Sequence, residues 1–208
     1  MGKCYHRKNE PMSTDPLREE AISLFREWLA EADQAQVAEP TAMVMASAGA
    51  DGCISARTLL LKGVDARGFS FYTNLGSIKA RQLDANPIAA CCFFWYPLFK
   101  QVQIEGRIER VTEREADAYF ATRDRGSQIG AWASKQSQPL VSREHLEQRV
   151  ARFEQQFEGA EVPRPEFWSG YRLLPQMIEF WHGQEHRLHL RWRYEQGVDG
   201  WTKTLLNP

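Results

Sequence analysis

The stretch Thr41-Ala42-Met43-Val44-Met45-Ala46-Ser47-Ala48, then Gly49-Ala50-Asp51-Gly52, then Cys53-Ile54-Ser55-Ala56-Arg57-Thr58-Leu59-Leu60-Leu61-Lys62 decides the fold class. Two apolar-rich runs flank four turn-forming residues, the pattern of an antiparallel hairpin. Upstream, Asp15-Pro16 opens a helix, with Asp as cap and Pro at the first helical position. Leu17, Ala21, Leu24, Phe25, Trp28 and Leu29 follow at helical spacing as its core-facing stripe. Downstream, Gly68–Asn74, Ile88–Tyr96 and Gln101–Val111 read as strands, and Ser77–Asn86 as a short helix closed by Pro87. Thr112 and Glu115 make a capping box for a helix reaching about Arg123. Ser127–Ser134 is a short helix or turn, and Ser142–Phe157 a longer amphipathic helix. Beyond Pro163 and Pro165, strands are predicted at Gly170–Trp181, His186–Glu195 and Trp201–Leu206. The sum is a mainly antiparallel β fold, a barrel with peripheral helices. It forms a single domain over residues 15–208, with a C-terminal strand subdomain from about 170, preceded by a flexible arm over 1–14.

Composition narrows the function classes. A net charge of -1 argues against a dedicated nucleic-acid binder, which needs a surplus of Lys and Arg. No apolar run reaches membrane-spanning length, and the polar start, Met1 to Met12, lacks the apolar core of a secretory signal. Cys4, Cys53, Cys91 and Cys92 show no metal-type or disulfide-framework spacing, so buried reduced thiols in a cytoplasmic protein are expected.

The residues suited to chemistry are mostly cationic. Glu185-His186-Arg187-Leu188-His189-Leu190-Arg191 reads as a strand. Alternation then puts Arg187, His189 and Arg191 on one face, and Leu188, Leu190 and Trp192 on the other. No acidic residue lies within that row, which is either a solvated face or a seat for phosphate or carboxylate. Arg57 and Lys62 bracket Thr58-Leu59-Leu60-Leu61 and fall on opposite faces by the same alternation. Tyr72 and Thr73 end a strand that turns into the helix carrying Lys79, and backbone amides at a helix start favour anions. Tyr119 and Arg123 share a helix face, with Ser127, Gln136 and Ser137 following. So many phosphate-compatible clusters suit two phosphorylated ligands in one cleft. His182, His186 and His189 lack a Cys or carboxylate to complete a metal set, and no P-loop, G-x-G-x-x-G or G-x-S-x-G is present. Trp95, Trp132, Trp168, Trp181 and Trp192 are core residues by default.

Taken together, Pro40–Met43, Arg57–Lys62, Phe71–Ser77, Gln101-Val102, Ser127–Trp132, Lys135–Ser137, Glu179–Trp181 and Arg187–His189 resemble the pyridoxine (pyridoxamine) 5′-phosphate oxidase family. The resemblance implies a homodimeric split β-barrel with FMN at the subunit interface, residues from about 170 contributing to that interface. It implies FMN contacts from Arg57, Thr58, Leu59, Leu60, Leu61, Lys62, Tyr72, Thr73, Lys79, Gln101, Gln136, Ser137, Trp181 and Arg191. Lys62, Tyr119, Arg123 and Ser127 would hold the substrate phosphate, and Arg187 and His189 would act at the pyridine ring as the catalytic pair. The implied reaction is oxidation of pyridoxine or pyridoxamine 5′-phosphate to pyridoxal 5′-phosphate, with molecular oxygen reduced to hydrogen peroxide. Two rival readings are a related flavoenzyme acting on another aromatic substrate, such as a phenazine precursor, and a non-catalytic FMN or pyridoxal phosphate module. Ile78 stands where the family commonly has Arg, Leu190 where it has Asp, and Lys3-Cys4-Tyr5 only loosely matches its basic arm.

Overall fold

The computed structural model describes residues 15–208. The expected arm, 1–14, with Cys4, lies outside them. Helix α1 (Pro16–Gln34) is capped by the Asp15 carboxylate, which accepts from Leu17 N–H at 3.0 Å. The expected hairpin forms as β1 (Ala42–Ala48) and β2 (Ile54–Leu60), with Val44 opposite Thr58. A short β3 (Gly63–Val64), β4 (Phe69–Asn74), α2 (Ile78–Ala85), β5 (Ile88–Trp95) and β6 (Lys100–Arg110) follow. Next come α3 (Glu113–Ala121), α4 (Arg125–Ala133) and α5 (Arg143–Gln156), then β7 (Trp168–His182), β8 (Leu190–Gly197) and β9 (Gly200–Leu206). The strand pairings among the described residues are antiparallel, in the order β2-β1-β5-β6-β7-β4-β3, with β8 paired to β7 and β9 to β8. This is the antiparallel split barrel with helices that the resemblance implied.

Burying α1 organises the main core. Phe25 meets Phe69 and Phe93 edge-on at 4.9 and 5.0 Å, the arrangement that ring quadrupoles favour. A second cluster joins Phe120, Ile129, Phe157 and Trp168, and packs the α3–α5 layer over the start of β7. The helical layer is also tied down by charge. Glu115 on α3 accepts from the Thr112 N–H and from Arg67 and Arg172. Burial opposes its ionisation, yet these donors win and hold its pKa at about 2.

Three expectations are corrected. Cys53 is exposed, because β2 starts only at Ile54, while Cys91 is buried and Cys92 half-buried. Lys62 does not continue the alternation of β2: its N–H bonds to Ser70 O as the chain swings from β1 toward β4. The strand expected from His186 begins only at Leu190. Glu185–Arg187 is a single 3-10 turn, with His186 and Arg187 at φ 55° and 62°. Leu188, Leu190 and Trp192 are accordingly exposed at 66%, 46% and 37%, so they form no buried row.

Candidate active site

One cleft of about 410 Å³ opens where β2 and β4 end, α2 starts, and α3 and α4 meet β7. It gathers Leu59, Leu60, Lys62, Tyr72, Thr73, Lys79, Tyr119, Arg123, Ser127 and Gln136. Its geometry begins with an absent side chain. A Cβ at Gly170 would lie 2.6 Å from Tyr72, its cross-strand partner, so only glycine lets that ring lie flat against β7. Tyr72 thus stacks on Tyr119 at 4.0 Å and on Trp168 at 5.5 Å, nearly parallel to both. Burial raises the phenol pKa of both tyrosines, so each remains a neutral hydroxyl at neutral pH.

Among the described residues, the cations in and beside the cleft have no counter-ion. Lys79 is 7% exposed, and its Nζ donates to Thr73 Oγ1 (3.2 Å), whose hydroxyl donates on to Gln136 Oε1 (3.0 Å). Burial lowers the Lys79 pKa, and the neighbouring Arg57 lowers it further. Arg57 is oriented by neutral acceptors: Ser47 Oγ, Gln82 Oε1, Met45 O and Ser55 Oγ. Arg123 has a buried Nη1 with no hydrogen-bond partner among the described residues, and burial lowers its pKa too. Such cations are tolerated when a ligand supplies the negative charge. Arg57, Lys79, Ser137 and the Ile78 N–H at the start of α2 fit the phosphate of FMN, the last two already bonded at 3.3 Å. A wider depression of about 610 Å³ beside Arg125, Glu154 and Glu158 offers no such fit. Its arginine is committed to the carbonyls of Phe157 and Ala160.

Not every expected residue reaches the cleft. Arg57 and Ser137 do not line it, Thr58 faces outward on β2, and the Leu61 side chain is core. Gln101, Trp181 and Arg191 form one cross-strand row over β6, β7 and β8. Trp181 and Trp168, which lines the cleft, stand near opposite ends of β7, on the order of 40 Å apart along an extended strand. His189 packs on Trp181 at 4.6 Å and accepts the Gln184 N–H at Nδ1. Arg187 is exposed on the turn beside it. Of the expected row, Arg191 is paired from β7, where Glu179 accepts from it at 2.7 Å and from Arg193 at 2.8 Å. Sequence reasoning missed Trp168, Asn74 and Ser134 as lining residues, Gly170 under Tyr72, and Gln82 behind Arg57. None carries a local signal, since each acts through a contact distant in sequence.

The chain resembles known proteins throughout. Residues 29–157 match the pyridoxamine 5′-phosphate oxidase family model, and residues 168–208 match the pyridoxine 5′-phosphate oxidase C-terminal dimerisation region. A pyridoxine/pyridoxamine 5′-phosphate oxidase of Rubrobacter xylanophilus is 54% identical, over 93% of this chain and 87% of the relative. One of Myxococcus xanthus is 57% identical, over 90% and 91%. A crystal structure of PhzG from Burkholderia lata, in complex with tetrahydrophenazine-1-carboxylic acid, superposes with a TM-score of 0.87 at 36% identity, covering 94% of both chains. With sequence, sheet topology and a cleft of unpaired cations in agreement, the chain belongs to the pyridoxamine 5′-phosphate oxidase family of FMN-dependent oxidoreductases.

Proposed function

We propose that this protein oxidises pyridoxine 5′-phosphate or pyridoxamine 5′-phosphate to pyridoxal 5′-phosphate as a homodimer. The observation that carries the reading is Arg123, whose buried Nη1 finds no partner in a cleft that also holds Lys62, Tyr119 and Ser127. A substrate phosphate would meet all four, and the guanidinium fork suits its oxygens. When bound, FMN supplies the hydride acceptor for the substrate's 4′ carbon and the route of those electrons to molecular oxygen, released as hydrogen peroxide.

The chain's own part is orientation. Arg187 and His189 follow the far end of β7, whereas Trp168 at its start lines the cleft, so a second copy would present them there. The dimerisation region at 168–208, which contains both, supports that arrangement. Two consecutive non-glycine residues in left-handed backbone, His186 and Arg187, are costly and mark a segment held in place for use. Because His189 Nδ1 accepts the Gln184 N–H, its neutral ring carries the proton on Nε2 and meets a ligand as a donor. We therefore assign His189 to positioning the ring substituent, with Arg187 beside it.

A second reading, oxidation of an aromatic carboxylate, draws on the likeness to PhzG, whose ligand is a tetrahydrophenazine carboxylic acid. Purified flavin-loaded protein, assayed for peroxide with pyridoxine 5′-phosphate, with pyridoxine and with a dihydrophenazine carboxylate, separates the readings. Turnover confined to the phosphorylated substrate supports the proposal. Turnover confined to the carboxylate overturns it, and bound flavin without turnover on any of them reduces the protein to a binding module.

A further inference from the structure

Arg123 is oriented without the usual means. Among the described residues its guanidinium has no ion pair, whereas the buried Arg172 pairs with Glu115 and Glu109. Asp124, its neighbour in the chain, instead caps α4 by accepting the Ser127 N–H at 2.8 Å. What surrounds Arg123 are ring faces. Its guanidinium carbon lies 4.8 Å from the centre of Trp168 and 5.5 Å from that of Phe120. Trp168 is 6% exposed, stacked on Tyr72 and edge-on to Phe120, so its own ring has little freedom.

We propose that Trp168 is a specificity-determining positioning residue, holding Arg123 by its π face where an ordinary buried arginine would be held by a carboxylate. The choice matters for the ligand. A carboxylate would orient the guanidinium equally well, but it would occupy the donors and repel a phosphate dianion. An aromatic face orients the cation while leaving its charge and every N–H to the incoming phosphate. The same residue explains why an aromatic lines the phosphate end of the cleft, where no substrate ring is needed. This inference rests on the phosphorylated-substrate reading, and the test separates the two.

The experiment measures kcat/KM for pyridoxine 5′-phosphate and for pyridoxine, and the inhibition constant of inorganic phosphate. Wild type, Trp168→Leu, Trp168→Phe, Arg123→Ala and both double variants are compared. Failure of wild type to prefer the phosphorylated substrate overturns the functional reading itself, and with it the basis of this proposal. Given that preference, Trp168→Leu is expected to reduce it about five- to tenfold and to weaken phosphate inhibition by a similar factor, as for a desolvated cation–π contact. Trp168→Phe, which keeps a ring face, should recover most of the loss. In the Arg123→Ala background neither substitution should reduce the preference further. Unchanged preference in the single variants, or equal losses with and without Arg123, overturns the role of Trp168. Should Trp168→Leu fail to fold, the Phe variant in both backgrounds decides by the same criterion, with a loss of about twofold expected only when Arg123 is present.

Discussion

Two ends of the same strand hold positively charged groups in opposite ways. At the start of β7, the cleft keeps Lys79 and Arg123, with Arg57 close to Lys79, among neutral partners: hydroxyls, amides and ring faces. At its far end, Arg191 and Arg193 share the carboxylate of Glu179, and Arg187 stands in the open. The first region is electrostatically incomplete and waits for an anion. The second is paired within the chain at Arg191 and Arg193, while Arg187 is exposed to solvent. A preorganised cation lowers the cost of binding a phosphate, because neither a counter-ion nor a side chain must be displaced first.

Predictions follow from this contrast. If the far end acts on chemistry and the cleft on binding, Arg187→Ala should lower kcat on the order of 10²-fold while the protein keeps its flavin. Peroxide assays beside the flavin absorbance of the purified variant check this, and a fully active variant contradicts the role of the turn. Arg123→Ala should instead reduce kcat/KM for pyridoxine 5′-phosphate about 10- to 100-fold, the worth of one charged hydrogen bond. An equal loss with unphosphorylated pyridoxine would erase the distinction between the two regions.

Acid should loosen the cleft through Glu115, which fastens α3 and is 27% exposed. Its folded pKa of about 2 lies below its ordinary 4.5, so the folded state binds fewer protons there than the unfolded chain. The associated stability is fully present above pH 4.5 and is lost as pH falls toward 2. Glu115→Gln should therefore be less stable by about 1–3 kcal/mol at neutral pH and lose less on acidification. Thermal melts at pH 7 and pH 3 test this, and parallel losses in both proteins would remove Glu115 as the anchor. The smallest effect concerns Ile78, 48% exposed at the α2 start. Ile78→Arg should tighten FMN about three- to tenfold, as a solvent-screened cation near the phosphate. Titration by flavin fluorescence measures it, and unchanged affinity would mean position 78 does not face the cofactor.

The elements themselves were largely legible. Asp15-Pro16, the Thr112–Glu115 capping box and Pro87 each mark a boundary within a few residues of where the structure has it. The exception is instructive. Glu185–Arg191 carries an alternating pattern, yet the left-handed residues His186 and Arg187 turn the chain before a strand can pair. Alternation records what a strand would do with its side chains, and it is silent on whether a partner strand is within reach. The cleft was legible as an inventory of residues suited to phosphate. Which of those residues gather in one cleft and which stand beyond the far end of β7 was not.

Residue order alone determined the antiparallel class, the helix ends and the kinds of ligand the side chains could take, because caps, turns and periodicity act over a few neighbouring residues. The folded chain decided which charges are neutralised and which stay available. Arg191 finds Glu179, Arg172 finds Glu115, and Arg123, without an ion pair among the described residues, finds the rings of Trp168 and Phe120. Burial and through-space pairing depend on which distant segments meet, and no local pattern encodes those meetings.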